Sequence, residues 1–324
     1  MTALSTLQRV FGYDQFRPGQ GEIVDAMLAG DDVFVIMPTG GGKSLCYQLP
    51  AIHRDQGLTL VISPLIALMR DQVAALQAAG VAAAALSSAN TAEENALIHQ
   101  QLQAGALRLL YLAPERLNSA QSLLANADVR MIVVDEAHCV SQWGHDFRPD
   151  YLNIGSLRDR LGSVQMAAFT ATADPDTQTE IASKLFTGQP KTFLRGFDRP
   201  NLSLAFAPKN RPRDQLINFI KGRRGQSGIV YALSRSKTET LAKALCDEGI
   251  EALPYHAGLD NETRIRHQDR FQREDGLVIC GTIAFGMGID KPDVRFVVHA
   301  DLPKSVEAYY QEIGRAGRDG APAE

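Results

Sequence analysis

Two short stretches carry residue types that could act on a phosphate. In "DVFVIMPTGGGKSLCYQL" (residues 32–49) an apolar run enters a glycine-rich turn, and Lys43 and Ser44 open a helical pattern. Gly40, Gly41 and Gly42 allow main-chain N–H groups to close around phosphate oxygens, and a helix N-terminus adds its positive end. Lys43 is then placed to reach β- and γ-phosphates, and the Ser44 hydroxyl to hold Mg²⁺. Met37 stands where the pattern G-x-x-x-x-G-K-[ST] has its first glycine, so the pattern is incomplete. A glycine-rich turn that binds nothing is the competing explanation.

The second stretch is "MIVVDEAH" (131–138), four apolar residues running into Asp135 and Glu136. Ligands of parallel sheets bind at the carboxyl ends of strands, where these acids fall. Asp135 is expected to position Mg²⁺ through a water, and Glu136 to orient and deprotonate an attacking water. Two acids ending a strand could simply be solvated. Following "TGGGKS" in this order, they point to hydrolysis of a nucleoside triphosphate.

Directly after the acids comes "CVSQWGHDFRPDY" (139–151), which holds the only tryptophan of 324 residues. Trp143 and Phe147 offer stacking faces to any nucleobase, and Arg148 can meet a phosphate. Gln142, Trp143, Phe147 and Arg148 are therefore candidates for nucleic-acid binding, a short covalent path from Glu136. The alternative is a satellite cluster capping a sheet, with Phe147 and Tyr151 as core.

The elements that must carry these residues show in the hydrophobic pattern. "DVFVIM", "LTLVI", "LRLLYL", "VRMIVVD" and "VQMAAFT" read as buried parallel strands, separated by helical stretches such as "LIALMRDQVAALQAAG" and "AEENALIHQQLQAG". The alanine-rich "AALQAAGVAAAALSSA" reads as helix-to-strand packing. The predicted fold is α/β, an open sheet with helices on both faces. The rhythm breaks at "RGFDRPNLSLAFAPKNRPR", and a second series follows with "GIVYAL", "IEALPYH", "GLVICGT" and "VRFVVHA". Two domains are expected, residues 1–205 and 206–324.

Composition bounds the rest. Hydrophobic content of 45% and charge of 22% are those of a soluble globular chain. No apolar run approaches the ~18 residues of a membrane helix. "MTALSTLQRVFGYDQ" lacks the layout of a secretion signal, which makes the cytoplasm the default. Four scattered cysteines with no C-x-x-C pair argue against a zinc site. A net charge of −4 means that any nucleic acid must be held by local clusters of arginine and lysine.

"TGGGKS", "DEAH", "TATA" (170–173) and "QEIGRAGRDG" (311–320) resemble the ordered motifs of superfamily 2 helicases. "LQRVFGYDQFRPGQ", "SPLIALMRDQV", "YLAPERL", "AHCVSQWGHDFRPDY" and "AFGMGIDKPDVRFVVH" resemble the RecQ branch of DNA helicases, so the likeness runs from residue 7 to 320. The resemblance implies two tandem RecA-like domains, each a mainly parallel sheet flanked by helices, with ATP between them. It implies ATP-driven 3′-to-5′ movement on single-stranded DNA and unwinding of partly duplex DNA, in repair and recombination. By matching position it assigns Tyr13, Arg17 and Gln20 to an adenine pocket, and an amide such as that of Gln20 can donate and accept at once. Arg315 and Arg318 become the arginines facing the phosphates, and Asp290 a ribose contact. Three residues apart, the two arginines would share one side if their segment is helical. The aromatic segment becomes a sensor of single-stranded DNA that communicates with the ATP site.

An RNA helicase on the same scaffold and a nucleic-acid-binding scaffold without turnover are the alternatives. The aromatic segment and "FRPGQ" disfavour the first, and the intact Lys43, Asp135, Glu136, Arg315 and Arg318 the second. A monomer is the default. RecQ proteins usually continue into a zinc-binding domain and a winged helix, whereas this sequence stops at "GRDGAPAE". Unwinding by these residues alone is accordingly expected to be weak.

Overall fold

The structure is a computed structural model that describes residues 2–324 except 55, 143–146, 163, 197–198 and 286–290. The chain divides into two compact units, Met1–Phe197 and Asp198–Glu324. The first opens with a short helix α1 (Ala3–Thr6) and α2 (Gln20–Leu28). Strands and helices then alternate: β1 (Val33–Ile36), α3 (Lys43–His53), β2 (Leu58–Ile62), α4 (Ile66–Ala78), β3 (Ala83–Leu86), α5 (Ala92–Gln103) and β4 (Leu109–Leu112). After them come α6 (Leu117–Leu124), β5 (Val129–Val134), α7 (Asn153–Leu161), β6 (Gln165–Thr170), α8 (Pro175–Leu185) and β7 (Lys191–Leu194).

The seven strands pair in the order β3-β4-β2-β5-β6-β1-β7, every pair parallel. Alternation along the strands explains why both faces are dry. Phe34 and Ile36 enter one hydrophobic cluster with Ile132, Val134 and Leu60, while Val33 and Val35 enter another with Met131, Val133 and Phe169. Successive side chains point to opposite faces, and helices cover each of them. This order makes β5, β6 and β1 neighbours. Ile36 pairs with Thr170 and Val134 with Ala168, so the segments leaving these three strands emerge side by side.

Two strands escaped the sequence reading. Three of the four residues of β3 are alanines, and its apolarity does not stand out from the helices around it. The residues of β7 are largely exposed, as befits an edge strand.

The second unit holds β8 (Gly228–Tyr231), β9 (Ala252–Tyr255), β10 (Val278–Gly281) and β11 (Phe296–His299) in the order β11-β8-β10-β9, all parallel. Helices α9 (Pro212–Lys221), α10 (Arg235–Asp247), α11 (Asn261–Arg273) and α12 (Val306–Ile313) accompany them. Val230 and Ile229 again enter opposite clusters. The expected α/β class, with two parallel sheets, is what the chain adopts.

Candidate active site

The glycine-rich turn joins β1 to α3. Gly40 and Gly42 sit at φ +79° and +83°, where a side chain is strained, and α3 begins at Lys43. A Cβ on Gly42 would stand 2.3 Å from the Gln20 amide nitrogen, so the turn is packed as well as bent. Lys43 donates from Nζ to the carbonyl of Met37 at 3.1 Å. Met37 is buried with its side chain against Gly41. The residue that departs from the usual pattern thus supplies both packing and a carbonyl for the lysine.

Arg17 and Gln20 lie against the same turn. Arg17 donates from Nη1 to the carbonyl of Gly40 at 2.8 Å. The Gln20 amide donates to the carbonyls of Gly41 (3.3 Å) and Gly42 (3.2 Å), and its oxygen accepts from the main-chain N–H of Arg17 at 2.9 Å. Both amide protons are therefore directed at the loop, and two-point pairing with adenine would require one of them to turn away. Tyr13 is exposed.

The acids follow β5. Asp135 is buried and accepts from the Ser63 hydroxyl (3.3 Å) and from the N–H of Glu136 (3.1 Å). Burial first, and then the neighbouring Glu136 carboxylate, push the Asp135 carboxyl well above the ordinary range, while Lys43 works in the opposite sense. Glu136 adopts φ +50° in the left-handed region, a strained position for a residue with a side chain. Its Oε2 is buried without a hydrogen-bond partner among the described residues, and His138 Nδ1 stands 3.4 Å away. The Thr170 hydroxyl donates to the carbonyl of Thr172, so its oxygen accepts from His138 Nδ1–H at 3.0 Å. That bond fixes the histidine tautomer. Asp135 and the Ser44 hydroxyl are an all-oxygen donor pair beside a surplus of negative charge, which fits Mg²⁺.

The root of the aromatic segment touches these acids. Tyr151 is fully buried, and its phenol donates to the carbonyl of Asp135 at 3.1 Å. Arg148 donates from its N–H to the carbonyl of Cys139 (3.0 Å) and from Nη1 to the carbonyl of Pro64 (3.2 Å). Phe147 is half-buried and Gln142 exposed. Trp143 and Asp290 lie outside the described residues. Sequence reasoning missed the roles of Ser63, Thr170 and His138, although they are the first residues of "SPL" and "TATA" and the last of "DEAH".

In the second unit Arg315 and Arg318 follow α12, which ends at Ile313, and they occupy a run of turns. The helical condition for a shared face is not met. The run is instead clamped from outside. Arg199 and Asn201 donate to the carbonyl of Gly317 at 2.7 and 2.9 Å, and Arg295 pairs with Asp319 through both carboxylate oxygens. Arg315 lies beside the buried Tyr231 phenol.

A glycine-bent turn capped by a lysine, two acids on the next strand but one, and a second parallel-sheet unit ending in paired arginines form a known combination. The chain matches the DEAD/DEAH box helicase family over residues 17–181 and the helicase conserved C-terminal domain over 211–320. It belongs to the DEAD/DEAH box helicases, in their RecQ branch. It is 50% identical over its whole length to an ATP-dependent DNA helicase RecQ of Pasteurella multocida, covering 51% of that protein. With the RecQ-like DNA helicase BLM of Xenopus laevis it shares 46% identity over 98% of this chain and 24% of the relative. Among solved structures it resembles the Mycobacterium smegmatis helicase Lhr bound to single-stranded DNA and AMP-PNP. There the TM-score is 0.73 at 25% identity, over 98% of this chain and 46% of that one. The chain spans about half the length of the bacterial RecQ relatives it matches. Among the described residues no helix is long and apolar enough to cross a membrane.

Proposed function

We propose that this chain is the ATP-hydrolysing core of a DNA helicase. Lys43 neutralises charge on the β- and γ-phosphates, and Glu136 takes a proton from the water that attacks the γ-phosphate. Asp135 and Ser44 hold Mg²⁺, whose charge offsets that of the phosphates when bound. Arg315 and Arg318 supply positive charge to the transferring phosphoryl group, Tyr13, Arg17 and Gln20 take the adenine end, and Asp290 the ribose. Products are ADP and inorganic phosphate.

Gln142, Trp143, Phe147 and Arg148 meet single-stranded DNA, and the segment they occupy passes that contact to Glu136. The enzyme moves 3′-to-5′ and opens partly duplex DNA, acting as a cytoplasmic monomer in repair and recombination.

The observation that carries this proposal is one of convergence. Lys43 acts electrostatically on Asp135, and the root of the aromatic segment bonds the main chain of that same acid. The 50% identity to a protein named ATP-dependent DNA helicase supports DNA as the polymer. Steady-state ATP hydrolysis with no polymer, single-stranded DNA or single-stranded RNA tests it. Stimulation by DNA above that by RNA is the expected result. Equal or greater stimulation by RNA would replace DNA with RNA, and no turnover under any condition would leave only a binding scaffold. Comparing 3′-tailed with 5′-tailed duplexes in a strand-separation assay tests the polarity.

A further inference from the structure

Helix α8 carries Glu180 and Lys184 one turn apart, and both reach beyond their own helix. Glu180 Oε2 accepts from the Ser141 hydroxyl and from the main-chain N–H of Gln142 at 3.0 Å. Lys184 Nζ donates to Glu180 Oε1 and to the carbonyl of Val140 at 3.2 Å. Three consecutive residues, Val140, Ser141 and Gln142, are thus held by two side chains of one helix. An exposed i,i+4 ion pair by itself contributes little. This one is largely shielded, with side-chain exposures of 28% and 18%, and its remaining bonds go to the Ser141 hydroxyl and to the main chain of Val140 and Gln142. Burial alone would raise the Glu180 carboxyl; the bonds from Lys184 and Ser141 outweigh it and hold the group below the ordinary carboxylate range.

The connection has a second anchor one turn earlier. Thr170, the last residue of β6, bonds His138, and α8 opens shortly after that strand, capped by Asp174. The run Ala137–Gln142 joins the acids to Trp143, and it is tied to the end of β6 at His138 and to α8 at Ser141. Arg148 closes the far root by donating to Cys139. A flexible tether between Glu136 and Trp143 would dissipate a displacement, whereas a run bonded at both ends can pass it on.

We infer that Glu180 is a positioning residue: with Lys184 it fixes Val140–Gln142 so that contact with nucleic acid at the aromatic segment reaches Glu136. The coupling half of this statement rests on the proposed DNA-stimulated activity, while the anchoring half does not. The partner recognised by Glu180 is a hydroxyl and an amide of this chain itself, and a carboxylate is a strong acceptor for both.

Trp143 directly follows Gln142 and is the only tryptophan, so intrinsic fluorescence reports on this segment without a label. In Glu180→Ala the emission maximum or the iodide quenching of Trp143 should change. The ratio of DNA-stimulated to DNA-free ATP turnover at saturating DNA should fall by about tenfold to a hundredfold, the effect of losing a charge-assisted hydrogen bond. Glu180→Gln retains an acceptor oxygen and should keep most of that ratio. It also guards against misreading a folding defect in the alanine variant. An unchanged Trp143 signal in Glu180→Ala overturns the inference, and so does a changed signal with an unchanged ratio. If the unsubstituted protein shows no DNA stimulation, the proposed function fails instead, and the Trp143 signal still decides whether Glu180 anchors the segment.

Discussion

The phenol of Tyr151 donates a 3.1 Å hydrogen bond to the main-chain carbonyl of Asp135. A side chain at the end of the aromatic segment thereby reaches back to the strand end that carries both acids. Tyr151 also belongs to the hydrophobic cluster under the sheet, so one residue serves packing and alignment together. Tyr151→Phe keeps the ring and leaves that carbonyl without its donor. Stability should fall by about 1 kcal/mol, the cost of one buried neutral hydrogen bond, and ATP turnover should fall with it. Urea unfolding and steady-state hydrolysis measure the two effects. No change in either would show the hydroxyl to be idle.

Gln20 spends both amide protons on the phosphate loop. Gln20→Ala frees the carbonyls of Gly41 and Gly42, and the loop loses its outer support. The KM for ATP and that for GTP should both rise, by about tenfold for the loss of two hydrogen bonds. A change confined to the preference for ATP over GTP would mean that the amide works on the base alone.

Much of this arrangement was legible in the sequence, for definite reasons. Lys43, Asp135 and Glu136 announce themselves because their chemistry needs fixed neighbours, glycines before the lysine and an apolar strand before the acids. The strands of the sheets stood out because burial on both faces leaves continuous apolar runs. β3 and β7 did not, both lying on edges and β3 being mostly alanine. The contacts of Ser63, His138, Thr170 and Glu180 were invisible for a different reason. Each depends on which strands lie side by side, and the order β2-β5-β6 is a property of the folded sheet. The spacing of the two arginines gives a shared side only in a helix, and α12 stops short of them, where turns held by Arg199, Asn201 and Arg295 take over.

Asp174 caps α8 by accepting from the N–H of Thr177 at 2.7 Å. That bond, reinforced by the Thr177 hydroxyl, holds its carboxyl below the ordinary value. A carboxylate with a depressed folded-state pKa stabilises the protein above its unfolded pKa and loses that contribution as pH falls through the folded value. Asp174→Ala should therefore cost about 1 kcal/mol near neutral pH, as helix caps do. The difference should close once the solution is acidic enough to protonate the carboxyl in the folded protein. Thermal unfolding of both proteins across pH checks it, and a gap independent of pH would contradict the ionised cap.

Trp143→Ala removes the largest ring of the aromatic segment. A stacked base contributes on the order of 1–3 kcal/mol, so more DNA should be needed for half-maximal stimulation of ATP turnover. Coupling predicts more than this, namely a lower maximum even at saturating DNA. If the maximum is kept, the ring is only a binding surface.

The central claim is that Glu136 is the base of an ATP hydrolysis site whose triphosphate is gripped by Lys43. The direct measurement compares nucleotide binding and single-turnover hydrolysis in Glu136→Gln and Lys43→Ala. Glu136→Gln should bind ATP as the unsubstituted protein does while hydrolysis slows by about 10²- to 10⁴-fold, the contribution of a general base. Lys43→Ala should lose hydrolysis together with ATP affinity. Substantial hydrolysis by Glu136→Gln, or undiminished ATP affinity in Lys43→Ala, would contradict the assignment.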